Sequence, residues 1–187
     1  MADQGSEGLL SPYLRRMRFQ AVAPYLRGRV LDFGCGSGAL STQIDADKYL
    51  GVEIDNSSLR QAQSCFPKHC FVCNLPEPYN KFDTVVSLAC IEHVSDPADF
   101  LRTLATYLGD TQSSQLVITT PHPTVGWVHD LGSAIGLFSK HANKEHEDLL
   151  DRSKLDKAGE QAGLSLVHYS RFLFGANQLA VYAKNAL

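Results

Sequence analysis

The stretch "VLDFGCGSGALS", residues 30–41, places glycines at 34, 36 and 38 directly behind an apolar run that ends in an acid. The apolar run reads as a buried strand, and glycines at its end let the backbone turn tightly and approach a ligand closely. The next segment reads as a helix from Ser37, whose first free N–H groups would face that ligand. A chain built this way is committed to strand, glycine loop and helix, the opening unit of an α/β sheet.

The rest of the chain continues that unit. An opening helix is expected over about 11–26, before strand "RVLDF". After the loop come strand "YLGVEI", a helix over "SSLRQAQSCF", strand "HCFVC", strand "FDTVVSL", a helix over "PADFLRTLATYL" and strand "QLVITT". Strands alternating with helices make βαβ units with right-handed crossovers and a parallel sheet. The chain closes with a helix over about 153–162 and two strands, "LSLVHYSRFLF" and "NQLAVYAKN", joined by a short turn around Gly175 and Ala176. That hairpin puts one antiparallel strand into an otherwise parallel sheet. The 187 residues, 44% hydrophobic, carry no repeat and no dividing linker, so one domain over 1–187 is expected. Within it, 1–27 is an N-terminal helical segment and 121–150 a lid or substrate insertion.

A net charge of −3, with "LRRMR" as the only basic cluster, argues against a nucleic-acid partner, whose phosphates call for a broad basic face. No signal peptide and no membrane span of about 20 apolar residues is legible, so a soluble cytoplasmic protein is expected. Its five cysteines should then be free thiols. Cys65, Cys70 and Cys73 with His69 raise the question of zinc. A structural zinc takes four ligands from paired motifs and no second pair exists, so "HCFVC" reads as a buried strand and no metal is expected.

Gly34, Gly36 and Ala39 also satisfy the dinucleotide pattern G-x-G-x-x-G/A, which makes a nicotinamide- or flavin-dependent oxidoreductase a rival reading. Asp32 weighs against it, because a carboxylate beside a pyrophosphate repels it by ~1–4 kcal/mol depending on screening. A ligand carrying an ammonium and a sulfonium, such as S-adenosylmethionine, would be attracted instead. The bland alternative for Asp32 is a solvated or capping acid at a strand end. Glu53 ends the second strand 19 residues after Gly34, where an acid accepts from both ribose hydroxyls of a nucleoside. Asp55 competes for that role or merely caps the next helix, and strand alternation favours Glu53.

In order and spacing, "VLDFGCGSG", "YLGVEID", "FVCNLPEPYNKFDTVVSLACIEHVSDP" and "LVITTPHP" resemble the class I S-adenosylmethionine-dependent methyltransferases, over about 25–187. The resemblance implies a Rossmann-like, seven-stranded, mostly parallel sheet with helices on both faces and a C-terminal antiparallel hairpin. It implies S-adenosylmethionine as cofactor, with Asp32, Gly34 and Gly36 at the methionine end, Cys35 and Gly38 in the same loop, and Glu53 and then Ile54 at the ribose. Asn74 and Leu75 would flank the adenine, and the backbone at Ser87 and Leu88 would meet the ammonium. Asn74 stands where many relatives carry Asp, and its amide oxygen can still accept from the adenine amine.

"IEHVSDP" supplies Glu92 and His93 just past the fourth strand, at the edge where ligands of such sheets bind. His93 is the candidate general base for a hydroxyl acceptor, or a loop brace; Glu92 orients the imidazole or caps the helix near Pro97. Some quinone-type O-methyltransferases add an upstream acid to this pair and bind a divalent metal; Ala89 occupies that position here, which leaves no metal expected. In 121–150, Val128, Leu131, Ile135 and Phe138 recur at near-helical spacing, as in an amphipathic lid helix or a core stripe. His122, Trp127, His129 and His146 are the candidate substrate contacts, with His141 beside them; solvated histidines are the bland alternative. The expected function is methyl transfer to a small molecule, on a hydroxyl of a sugar or a phenol- or quinone-like metabolite. A non-catalytic S-adenosylmethionine-binding subunit is the further alternative.

Overall fold

The computed structural model describes residues 11–75, 77, 81–125 and 150–185. Seven strands form one sheet in the order β3-β2-β1-β4-β5-β7-β6. They are β1 (Val30–Phe33), β2 (Tyr49–Val52), β3 (Cys70–Val72), β4 (Thr84–Leu88), β5 (Gln115–Pro121), β6 (Leu164–Phe172) and β7 (Asn177–Lys184). The first five pair in parallel, and β7 runs antiparallel to both β5 and β6. Among the described residues the α-helices are α1 (Ser11–Val22), α2 (Asn56–Cys65), α3 (Pro97–Ala105) and α4 (Arg152–Gln161).

The central strands are apolar runs because they are covered on both faces. Leu31, Val85, Leu116, Ile118, Ala180 and Tyr182 point to one face, where Leu101 and Leu104 of α3 and Leu155 of α4 bury against them. Val30, Val86, Val117, Leu179 and Val181 point to the other, under Val22 at the end of α1. Three helices start at an aspartate whose carboxylate accepts an N–H of the first turn: Asp55 from Ser58, Asp96 from Asp99 and Asp151 from Lys154. Asp55 is thus the cap of α2, and the cap of α3 is Asp96 rather than Glu92.

Two expectations need correction. No α-helix follows the glycine loop; Ala39–Gln43 is a short 3-10 turn that buries Leu40 and Ser41. Only five residues separate that turn from β2, and the second 3-10 turn Ala46–Lys48 occupies most of them, so the chain crosses to the sheet without room for a full helix. Likewise, "HCFVC" is a strand but not a buried one. As the outermost strand it buries only Phe71, and Cys65, Cys70 and Cys73 are exposed free thiols.

Gly38 shows why the loop needs glycine for packing as well as for conformation. It sits at φ +78, and a Cβ there would lie 2.7 Å from the Phe71 ring and 3.0 Å from Cβ of Ala62. Left-handed strain and overpacking add, so Gly38→Ala is expected to lower the unfolding free energy by about 2–4 kcal/mol, read from denaturant midpoints. A change below about 0.5 kcal/mol would show that the Phe71 ring swings clear at no cost.

Candidate active site

The carboxyl ends of β1, β2 and β4 meet at the glycine loop. Its backbone donors are spent inside the protein: Gly34 and Cys35 both donate to the Val52 carbonyl, at 2.9 and 3.1 Å, and Gly38 donates to the Cys35 carbonyl at 2.9 Å. Gly36 donates to the Glu53 carboxylate at 2.8 Å, and the other Glu53 oxygen takes the Asp55 N–H at 2.8 Å. Glu53 therefore ties the loop to the end of β2, while Val72 accepts its own N–H. Gly34 is at φ +73, with Cys90 Sγ only 2.4 Å from where a Cβ would stand, whereas Gly36, at φ +53, has nothing within 4 Å. Next to Glu53, the apolar side chain of Ile54 is 87% exposed.

Beneath the loop lies a buried acid. Asp32 is only 2% exposed, which rules out the solvated or capping reading, and the Tyr49 hydroxyl donates to its Oδ2 at 2.7 Å. Asp32 pairs across the strands with Gly51, whose missing side chain leaves room for the Tyr49 hydroxyl and Cys35 Sγ, each 2.9 Å from where a Cβ would stand. Burial pushes the Asp32 carboxyl up to about 7; the Tyr49 hydrogen bond works against this and the Glu53 charge adds to it. Burial and the Asp32 charge push the Cys35 thiol far up, and burial pushes Cys90 up to about 11, so both act as protonated packing groups. Tyr49 and Gly51 were not singled out in the sequence, although a Tyr and a Gly two apart on a strand share one face.

Past β3, Asn74 is exposed and Leu75 is half-buried against the core. At the end of β4, Ser87 is buried with its hydroxyl unpartnered among the described residues, and Leu88 is half-buried. Ala89 follows at φ 56, a strained conformation for a non-glycine residue, and donates to the Thr119 carbonyl at 2.8 Å. That kink turns the chain into the 3-10 segment Ile91–His93. There His93 is exposed, its N–H bonded to the Cys90 carbonyl at 2.9 Å.

Glu92 turns inward. Its Oε2 has no hydrogen-bond partner among the described residues, and burial raises its pKa while a hydrogen bond from the Thr120 side chain and the charges of His93 and Arg18 act to lower it. Arg18 reaches this place from α1, and its Nε donates to Oδ1 of Asn177, the first residue of β7, at 3.4 Å. Arg18, the last residue of the basic cluster "LRRMR", and Asn177 were not singled out as site residues, and they lie 159 residues apart. His122, just past β5, shares a 2.9 Å hydrogen bond between Nδ1 and the Thr124 hydroxyl, and burial followed by the Arg171 charge lowers its pKa. Trp127, His129, His141 and His146, with most of the proposed lid, lie outside the described residues. Among the described residues no group of three or more His, Cys, Asp or Glu side chains is placed to hold a metal ion, and no helix is long and apolar enough to cross a membrane.

Comparison with known proteins meets this geometry. A probable S-adenosylmethionine-dependent methyltransferase of Mycobacterium tuberculosis is 32% identical over 111 residues, 56% of this chain and 40% of that protein. This chain thus spans well under half the length of that relative. A ubiquinone biosynthesis O-methyltransferase of Aeromonas salmonicida is 26% identical over 170 residues, 80% of this chain and 71% of the relative. In fold, the crystal structure of magnesium protoporphyrin IX methyltransferase from Synechocystis PCC 6803 with bound SAH matches with a TM-score of 0.68 at 20% identity, covering 97% of this chain and 90% of that one. A family model described as a methyltransferase domain matches residues 9–169, and the chain belongs to that family.

Proposed function

We propose that the protein is an S-adenosylmethionine-dependent methyltransferase acting on a small molecule, with a hydroxyl oxygen of a sugar or a phenol- or quinone-like metabolite as the nucleophile. The observation that carries this reading is the chemistry of the glycine loop. A dinucleotide needs free N–H groups and a helix N-terminus at its pyrophosphate. Here the N–H groups of Gly34, Cys35, Gly36 and Gly38 are all committed, no α-helix follows, and carboxyl groups stand below and beside the loop. That surrounding suits a cationic ligand and repels an anionic one.

The other residues fit the same cofactor. The open face of Gly36 gives room for close approach, Ile54 offers an apolar surface to a base, and Ser87 keeps a hydroxyl unspent at the end of β4. A carboxylate has about four lone-pair sites, so Glu53 can accept from ribose hydroxyls while still holding the Gly36 and Asp55 N–H groups. When bound, the cofactor supplies an electrophilic methyl on a sulfonium, open to in-line displacement. The protein's task is then to hold the acceptor oxygen in line and remove its proton. His93 takes that proton on a ring nitrogen, from a backbone position held by the kink at Ala89.

Calorimetry tests the cofactor assignment. S-adenosylmethionine or S-adenosylhomocysteine should bind with micromolar affinity and NAD should not; the reverse order would end the methyltransferase reading. Glu53→Ala should weaken binding by about 1.5–3 kcal/mol through lost charge-assisted hydrogen bonds. Asp55→Ala should instead destabilise α2 with little effect on affinity, because its carboxylate is already the helix cap. An affinity loss at Asp55→Ala and none at Glu53→Ala would transfer the ribose contact to Asp55.

A further inference from the structure

Taking the site as one of methyl transfer to a hydroxyl, we infer that His122 is a fixed hydrogen-bond donor to the acceptor rather than a second base. Thr124 and Arg171 are the positioning residues that hold its imidazole in the Nε2–H tautomer. His122 stands directly after β5, and the 3-10 segment that carries His93 packs against that strand. The two imidazoles thus belong to the ends of neighbouring strands, on the edge where ligands of such sheets bind. The backbone here is fixed: the His122 N–H donates to the Ala176 carbonyl at 2.9 Å, and the Gln178 side chain donates to the Pro121 carbonyl at 3.0 Å.

The tautomer follows from what faces Nδ1. The Thr124 backbone N–H donates to it at 3.2 Å, and a backbone N–H cannot accept in return, so Nδ1 is the unprotonated nitrogen. The Thr124 hydroxyl, 2.9 Å away, then donates to Nδ1 as well, while its oxygen accepts from Arg171 Nη2 at 2.9 Å. The ring proton is left on Nε2, which makes no hydrogen bond among the described residues. Arg171 is itself clamped. Its Nε and Nη2 both donate to the Gly175 carbonyl, at 3.1 and 2.6 Å, across a turn in which Leu173, Phe174 and Gly175 have φ values of 53, 53 and 85. Two non-glycine residues in that region persist only where their surroundings hold them.

Charge agrees with the tautomer. Burial and then the Arg171 cation disfavour a second proton on the ring, while Asp151, at the N-terminus of α4, favours one and is outweighed. With its proton on Nε2 and Nδ1 occupied, the ring has no place for the proton of an acceptor hydroxyl, which leaves that step to His93. What Nε2–H does is select: it favours a substrate oxygen with a free lone pair, and it disfavours an N–H or a methylene group in the same place.

Long-range proton–nitrogen NMR of the ligand-free protein, with the His122 signals assigned by their loss in His122→Phe, tests the tautomer. Wild-type protein should show Nδ1 unprotonated and Nε2 protonated, with a titration midpoint below the ~6.5 of an ordinary histidine. The double variant Thr124→Val/Arg171→Met should bring in the Nδ1–H form and raise the midpoint. A protonated Nδ1 in the wild-type protein, or a double variant with an unchanged ring, would overturn the inference. The donor role is tested by titrating protein loaded with S-adenosylhomocysteine with 3-hydroxybenzaldehyde and 3-hydroxystyrene, which differ by a carbonyl oxygen against a methylene. The aldehyde should bind about 10-fold or more tightly. His122→Phe should remove that preference and His122→Gln, which keeps an N–H, should retain part of it, with S-adenosylhomocysteine affinity within about twofold in both. Equal binding of the pair, no binding of either, or a preference that survives in His122→Phe would each overturn the donor role and leave the cofactor assignment standing. Failure to bind S-adenosylhomocysteine at all would sink the methyltransferase reading and this role with it.

Discussion

In His93→Ala protein, turnover of a hydroxyl acceptor should fall by roughly 10²–10⁴-fold in kcat, the usual contribution of a positioned general base. That corresponds to about 3–5 kcal/mol of transition-state stabilisation. Affinity for S-adenosylmethionine should change little, because the loop, Glu53 and Asp32 proposed to hold the cofactor lie on other segments. The imidazole suits the task because one ring nitrogen can accept a proton while the other donates a hydrogen bond. Its side chain is exposed, one residue beyond the inward-turned Glu92. Single-turnover rates with saturating cofactor would isolate the chemical step, and a chelator should leave them unchanged. A near-normal rate in the variant would remove His93 from proton transfer and point to an acceptor already ionised. Inhibition by chelator would bring back a metal-assisted route through the Glu92–His93 pair.

A second large effect is expected at Asp32, and it depends on pH. An unfolded aspartate titrates near ~3.9, whereas the buried Asp32 carboxyl is pushed up to about 7. Between those values the folded protein holds a proton that the unfolded chain has released. Stability from this group is therefore full below pH ~4 and is lost as pH rises toward about 7, by on the order of 4 kcal/mol in total. A bound cation reverses the preference, because it favours the ionised carboxylate. Affinity for S-adenosylmethionine should thus rise with pH up to about 7 and level off above it. Asp32→Asn keeps an oxygen for the Tyr49 hydroxyl and removes the charge. The variant should lose this loss of stability between pH 4 and 7 and bind the cofactor at least about 10-fold more weakly at pH 8, with no pH slope from this site. Thermal unfolding across pH 4.5–8.5 and calorimetry at pH 6 and 8 read both effects. Identical pH profiles for the two proteins would show that the cofactor does not sense the Asp32 charge.

Much of the frame was legible because it rests on local pattern. Apolar runs such as "VLDF" and "TVVSL" identify strands buried on both faces, and glycines at 34, 36 and 38 mark a loop whose φ values only glycine adopts cheaply. The acid at the end of β2 was visible for the same reason, since alternation along four strand residues sets which way Glu53 points. The segment after the loop misled. Its residues carry a helical pattern, but the distance to β2 and the burial of Leu40 and Ser41 allow only a 3-10 turn. Local pattern cannot report how much chain the sheet order leaves available.

The amino-acid sequence by itself determined the strand and helix alternation, the antiparallel closing hairpin, the glycine loop and the acids that flank it, because each follows from residue period, turn chemistry or backbone freedom within a few positions. Only the tertiary structure decided which groups complete the site. Tyr49 reaches Asp32 because β2 lies beside β1 with Gly51 opposite the acid, and Arg18 meets Asn177 because α1 covers the face at which β7 begins. Such pairings join residues 17 and 159 positions apart, and they are set by sheet order and helix packing, which no short stretch of sequence contains.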